Sequence, residues 1–275
     1  MKKFFKLTAV VMALLITMLC VVGCDEKKDS SDGSKQDTAA TDSEYVKEKG
    51  KLIIGITEFE PMDYKEEGSD EWVGFDADMA KEFAKSLGVD AEFVIIEWDN
   101  KSLELSGKTI DCVWNGMTLT DEVTSSMDCS DAYCNNAQVV VLDKSVADKY
   151  KTAEDCKDLS FAVEKGSAGA KEAEANGYTF TEVLDQATAV FEVSGKTSDA
   201  AIIDSLMAGA MVGEGTGYSD LTTTVKLSSE LYGVGFRKGS DLTEKLNKFF
   251  DECRDNGKML EIAEKYGVQD AVILK

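Results

Sequence analysis

The chain carries seven cysteines, the strongest nucleophiles and softest metal ligands available to it, and no histidine to activate or join them. Without imidazole, neither a Ser-His-Asp nor a Cys-His nucleophile can be assembled, and zinc sites that use imidazole are excluded. No two cysteines form a CxxC pair, so a zinc ribbon and a thioredoxin-like redox pair are unsupported as well. Acid–base work would fall to carboxylates. There are 52 Asp plus Glu against 30 Lys plus Arg, for a formal charge of −22. Such a surface repels a phosphate backbone and argues against nucleic acid as a partner. Arg237 and Arg254 are the only arginines, so a bidentate guanidinium clamp on an anion must use one of them. Gly213-Glu214-Gly215-Thr216-Gly217 looks like a fragment of a phosphate loop. It is expected to follow a helix and lacks a GK[ST] partner, so it reads as a flexible connector. No metal and no cofactor is implied.

The cysteines divide by position. Residues 1–23 open with Lys2, Lys3 and Lys6 and continue as an apolar run from Leu7 to Val22, the pattern of an export signal. The run ends in Val21-Val22-Gly23-Cys24, which resembles a bacterial lipobox. That resemblance implies that 1–23 is a lipoprotein signal peptide and that Cys24 carries the lipid. The mature chain is then extracytoplasmic and held to the cell membrane through its lipid anchor only. Residues 24–44 contain almost nothing large and apolar and are expected to form a disordered tether. Cys20 leaves with the signal. Cys112, Cys129, Cys134, Cys156 and Cys253 remain, an odd number that cannot complete an internal disulfide framework. They read as buried thiols acting as small apolar residues, with Cys129 and Cys134 the one candidate disulfide.

Short, nearly continuous apolar runs at Leu52–Ile56, Phe93–Ile96, Ile110–Trp114, Gln138–Leu142, Leu159–Val163 and Ala200–Ile203 read as strands buried on both faces. Asp76–Leu87 reads as a helix, with Met79, Phe83 and Leu87 on one face, Asp76 as its cap and Gly88 as its stop. Further helices are expected after Asp204, over Asp241–Asp255 and over Lys258–Tyr266. The alternation predicts an α/β fold with largely parallel sheets.

Four stretches, taken in order behind the lipobox, resemble the polar amino-acid family of extracytoplasmic solute-binding proteins that feed ABC importers. The first is Gly50-Lys-Leu-Ile-Ile-Gly-Ile-Thr57 with Pro61-Met62-Asp63-Tyr64, and the second is Val73-Gly74-Phe75-Asp76-Ala77-Asp78. The third is Asn115-Gly116-Met117-Thr118-Leu119-Thr120, continuing to Met127-Asp128-Cys129-Ser130-Asp131-Ala132-Tyr133. The last is Ser198-Asp199-Ala200-Ala201-Ile202-Ile203-Asp204 with Tyr232-Gly233-Val234-Gly235-Phe236-Arg237-Lys238-Gly239. The similarity spans about residues 49–268. It implies a two-lobed, periplasmic-binding-protein-like (type II) fold, with a ligand cleft between the lobes and two crossing hinge strands. Lobe one would be 45–141 plus 233–275, lobe two 142–232, and the crossings would lie near Val140–Lys144 and Leu231–Gly233.

The resemblance also implies a site. Asp204 stands where the family keeps its ammonium-binding aspartate, and it is also placed to cap the next helix. The ligand carboxylate would meet an exposed N–H and hydroxyl in the Gly116-Met117-Thr118 turn and the Gly166-Ser167-Ala168 turn at a helix N-terminus, where free N–H groups favour an anion. The family's third carboxylate partner is an arginine, and that position is Val123 here. Three explanations stay open: a lysine substitutes, N–H groups and hydroxyls suffice, or the ligand lacks an α-carboxylate. Phe59 and Trp98 match the aromatic walls, whereas Trp114 is expected in the core. Glu164 stands where the family varies with ligand identity. An acidic pocket there, with Glu58 undecided and Glu60 read as a solvated carboxylate, would select a cationic side chain.

The function expected is therefore capture of a small polar solute, an amino acid or related amine, for delivery to an ABC permease by a monomeric, non-enzymatic protein. Two other readings stand beside it. One is an enzyme on the same fold, dehydratase-like, which would have to work with carboxylates alone. The other is a sensory or adhesion lipoprotein.

Overall fold

A computed structural model describes residues 40–275; the expected signal peptide, Cys24 and the tether up to residue 39 lie outside them. The expected tether ends sooner than residue 44. Helix Asp42–Lys49 is already formed, because Thr41 and Glu44 complete a reciprocal capping box. The helix is fixed to the body of the protein by Asp42, whose carboxylate lies 3.0 Å from the Arg237 guanidinium, and by the Ser43 amide, which donates to Asp241 at 2.9 Å.

The remainder forms two lobes, each built on a sheet. The first sheet runs in the order Asp90–Ile95, Lys51–Ile56, Cys112–Thr118, Glu230–Phe236, Asp128–Cys129, with Cys134–Asn136 also paired to Glu230–Phe236. The second runs Thr179–Val183, Ser160–Glu164, Ala200–Asp204, Gln138–Asp143, Leu221–Lys226. All six strands expected from apolar runs are present, but Asp90–Ile95 lies at the edge of the first sheet and is half exposed rather than buried on both faces. The strands Thr179–Val183 and Leu221–Lys226 lie at the two edges of the second sheet. Each is half exposed and rich in threonine, so neither shows an apolar run.

The sheets are mixed rather than largely parallel. The three consecutive strands at one side of each are parallel, and the strands that pass between lobes enter antiparallel to them. A chain that crosses to the other lobe and returns must reverse direction in each sheet. The crossings also sit earlier than expected. Gln138–Asp143 pairs along its whole length within the second sheet, and Glu230–Phe236 belongs to the first. The passages between sheets are thus Ala137 and Leu227–Ser229, so residues 138–141 join the second lobe and 230–232 the first.

Helix Phe75–Leu87 packs Phe83 against Trp114 and Phe249, while Phe250 and Tyr133 close the same aromatic cluster. Trp114 is a core residue, as expected. Gly88 stops the helix in a left-handed conformation. Asp76 does not cap it. The cap position is Gly74, at φ +126°, and Asp76 lies within the first turn with its carboxyl buried. The helices Leu242–Asp255 and Lys258–Lys265 form where expected. All five cysteines are free thiols, four buried and Cys129 half-buried, so the candidate Cys129–Cys134 disulfide is absent. The Gly213–Gly217 tract is a connector between helix Ser205–Met211 and strand Leu221–Lys226. Among the described residues, no helix is long and apolar enough to cross a membrane, and no cluster of side chains could hold a metal ion.

Candidate functional site

A cavity of about 280 Å³ lies between the lobes. Trp98, Gly116, Met117, Thr118, Glu164, Ser167 and Asp204, all expected at the site, line it together with Val123. Phe59 does not reach the wall. It is buried behind Gly116, edge-on to Tyr232 with ring centroids 6.3 Å apart. Glu58 and Glu60 are exposed and are not part of the cavity.

The Gly116 turn is shaped from behind. Gly116 has φ +54°, and a Cβ there would come within 2.4 Å of the Phe59 ring, so only glycine fits. Its N–H is not exposed to a ligand as expected. It donates to the Asp76 carboxylate at 2.7 Å, which also accepts from the Tyr133 hydroxyl at 2.7 Å. Burial raises the Asp76 carboxyl to about 6 despite these donors. Asn115 ties the same region to Asp63 and Thr57.

Across the cleft, Ser167 caps helix Ala168–Asn176 by accepting from the Ala170 amide at 3.1 Å. The N–H groups of the first helical turn have no partner within the helix, so its N-terminus on the cavity wall suits an anion. Gly166 lets the lobes meet. With φ +69°, it would place a Cβ 2.8 Å from the Asp99 Cα.

Asp204 ends the Ala200–Asp204 strand. Its Oδ1 accepts from Asn136 and from Gln138 Nε2 at 2.8 Å, and its Oδ2 accepts from Gln186. The same two amides, Asn136 and Gln138, also donate to Glu230. Burial, and then the charge of Glu230, push the Asp204 carboxyl well above the usual carboxylate range. The capping role expected of Asp204 falls instead to Asn136, whose Oδ1 accepts from the Ser205 hydroxyl and the Leu206 amide. Asn136, Gln138, Gln186 and Glu230 were not foreseen. The one signal was the pair Asn136 and Gln138 bracketing Ala137 at the head of an apolar run, where buried amides need a reason.

Neither arginine is available to a ligand. Arg237 is spent on Asp42, Asp111 and the Ile110 carbonyl, and Arg254 on Asp251 and the Ile273 carbonyl. Two lysines line the cavity instead, Lys101 and Lys171. Lys101 Nζ lies 4.8 Å over the Trp98 ring and donates to the carbonyls of Trp98 at 3.1 Å and Gly166 at 3.2 Å, so it bridges the lobes. Burial lowers its pKa while Glu164, Glu122 and Asp99 pull it back up. Lys171 pairs with Glu122, and Lys165 with Asp99 at 3.0 Å, both across the cleft.

Of the six acidic residues on the wall, Asp99, Glu122, Glu174 and Glu182 are exposed, while Asp204 and Glu164 are buried. Glu164 Oε1 has no partner. Burial first, and Asp185 next, raise the Glu164 carboxyl to about 8. Among the described residues, no cysteine lines the cavity. The arrangement offers an anion receptor, a cation receptor and a tryptophan wall around a space closed by both lobes.

Residues 52–269 match the family of bacterial extracellular solute-binding proteins, family 3. The chain belongs to that family. It is 30% identical over 224 residues to the arginine-binding extracellular protein ArtP of Bacillus subtilis, covering 79% of this chain and 86% of that one. It is 29% identical over 225 residues to the L-cystine-binding protein TcyJ of Escherichia coli, covering 80% and 84%. The crystal structure of a mutant of ArgBP from T. maritima superposes with a TM-score of 0.76 at 33% identity, covering 82% of this chain and 98% of that one. The last of these shares the two-lobed α/β architecture, and the first two are named as binding proteins.

Proposed function

We propose that this chain captures an amino acid between its lobes and delivers it to an ABC importer, with Cys24 lipidated and holding it at the outer face of the cell membrane. The observation that carries the reading is the opposition, across one small cavity, of the buried Asp204 carboxyl and the anion-ready N-terminus of helix Ala168–Asn176 beside Lys101. That is the charge pattern of a zwitterion, and each ligand charge needs such a partner once water leaves. Lys101 answers the absence of arginine at Val123, since its third ammonium hydrogen is left for a carboxylate after the two carbonyls are served. Closure is a hinge motion about Ala137 and Leu227–Ser229, driven by contacts a ligand makes to both lobes at once.

The names of the relatives, for arginine and for cystine, support an amino acid as the solute. Calorimetry with a panel of the twenty amino acids and L-cystine is expected to find at least one ligand at micromolar Kd or better, about −8 kcal/mol. Binding of none would overturn the reading. Mass spectrometry of the N-terminal peptide of the membrane-bound chain checks the anchor: a lipid-modified Cys24 as first residue is expected, and an unmodified Cys24 would sink it.

A further inference from the structure

Asp204 and the helix N-terminus account for the two charges common to all amino acids, which leaves Glu164 without a task. It ends the Ser160–Glu164 strand beside Val183 of the neighbouring strand, is 2% exposed, borders the cavity, and keeps a buried Oε1 with no hydrogen-bond partner just behind the wall. A buried carboxyl oxygen with no donor is an expensive feature unless a donor arrives from outside the protein. The obvious internal donor is turned elsewhere: the Lys101 ammonium is given to the Trp98 and Gly166 carbonyls. The groups facing Glu164 are Asp185 at the cap of helix Gln186–Ser194, which disfavours its charge, and Lys101, Gln186 and Thr57, which favour it. Trp98, with Lys101 over its ring, borders the same cavity and adds an apolar wall for the stem of a long side chain.

We propose that Glu164 receives the distal cationic group of a guanidinium or ammonium amino acid, and that it gives up a proton when it does so. This rests on the reading of the chain as an amino-acid-binding protein. In the free protein the carboxyl holds its proton at neutral pH, because burial beside Asp185 disfavours the charge. When the cation arrives, the Glu164 O–H bond breaks and its proton passes to the solvent. The resulting carboxylate accepts N–H bonds from the ligand. One positive charge enters the pocket and one leaves, so the pocket is never left with a buried unpaired ion. Selection for a cationic side chain and a pH-dependent affinity are then one property.

The test is calorimetry of the mature chain with L-arginine and L-lysine in phosphate and in Tris, from pH 6 to 9, with L-glutamine alongside. Asp204 meets the α-ammonium of every amino acid, so the glutamine run subtracts its protons. The expected result is release of about 0.9 more protons per arginine or lysine than per glutamine at pH 7 for a group titrating near 8. The affinity for arginine relative to that for glutamine should rise roughly tenfold from pH 6 to 7 and flatten above 8. In Glu164→Gln the excess protons disappear and arginine affinity falls at least tenfold. Where that variant does not fold, the wild-type proton count decides alone. Equal proton counts for arginine and glutamine, or tight glutamine binding with no response to arginine or lysine, would overturn the proposal while leaving the binding function intact. No amino-acid binding at all overturns both.

Discussion

Two pairs of buried carboxyls lie in the two lobes, and only one pair reaches the cavity. Asp63 and Asp76 sit inside the first lobe, off the cavity wall, and Asp76 spends its oxygen on the Gly116 amide and the Tyr133 hydroxyl. Asp204 and Glu164 sit in the second lobe on the wall itself. Burial raises all four carboxyls, so a raised pKa alone does not separate them. What separates them is access. A carboxyl closed off from the cavity can only shape backbone, whereas one that opens into it can trade its proton or its hydrogen bonds for a ligand.

Substitution makes the comparison sharp. Asp204→Ala should lower ligand affinity at least 100-fold by calorimetry, in line with roughly 1.5–3 kcal/mol for a charge-assisted bond plus the disorder of Asn136, Gln138 and Gln186. Asp76→Ala should act on the fold first. It orphans the Gly116 amide and the Tyr133 hydroxyl in a buried place, and should reduce unfolding free energy by about 2–4 kcal/mol in urea titration. If Asp76→Ala unfolds like wild type, the division between shaping and binding carboxyls collapses.

The smallest effect is a pH dependence of stability without ligand. A carboxyl raised in the folded state binds its proton more tightly there than in the unfolded chain, so stability falls as pH rises through that window. For Asp76 the window runs from about 4, its unfolded value, to about 6. Stability should be greater below the window and decline by roughly 1–3 kcal/mol across it, and Asp76→Asn should flatten that part of the profile. A rise in stability over the same interval that Asp76→Asn abolishes would reverse the sign argued here.

Much of this was legible beforehand. Strands buried on both faces announce themselves as apolar runs, and glycine marks where helices stop, so the central strands and the helix Phe75–Leu87 could be read directly. Seven of the eight expected ligand residues reach the cavity wall because they stand at strand ends and turns, which the fold brings to the cleft. Edge strands such as Thr179–Val183 carry half-exposed polar residues and look like loops. Asp76 was misread because a carboxylate beside a helix start usually caps it, and nothing local shows that Gly116, forty residues on, will claim it. The amides around Asp204 come from three separate elements 18 to 68 residues away in sequence. No spacing rule links them. The same holds for Lys101, whose approach to Gly166 exists only once the lobes meet.

Helix Asp42–Lys49 has a mechanical consequence. It is stapled to the first lobe by Arg237, by Asp241 and by the contact of Lys49 with the buried Asp111. Arg237 pairs in turn with Asp111 and donates to the Ile110 carbonyl, both beside the strand Cys112–Thr118. Any pull transmitted along the chain ahead of Ala40 is therefore borne by the first lobe's central sheet and stops there. Under the hinge closure proposed above, the second lobe would be the one that moves against this fixed base.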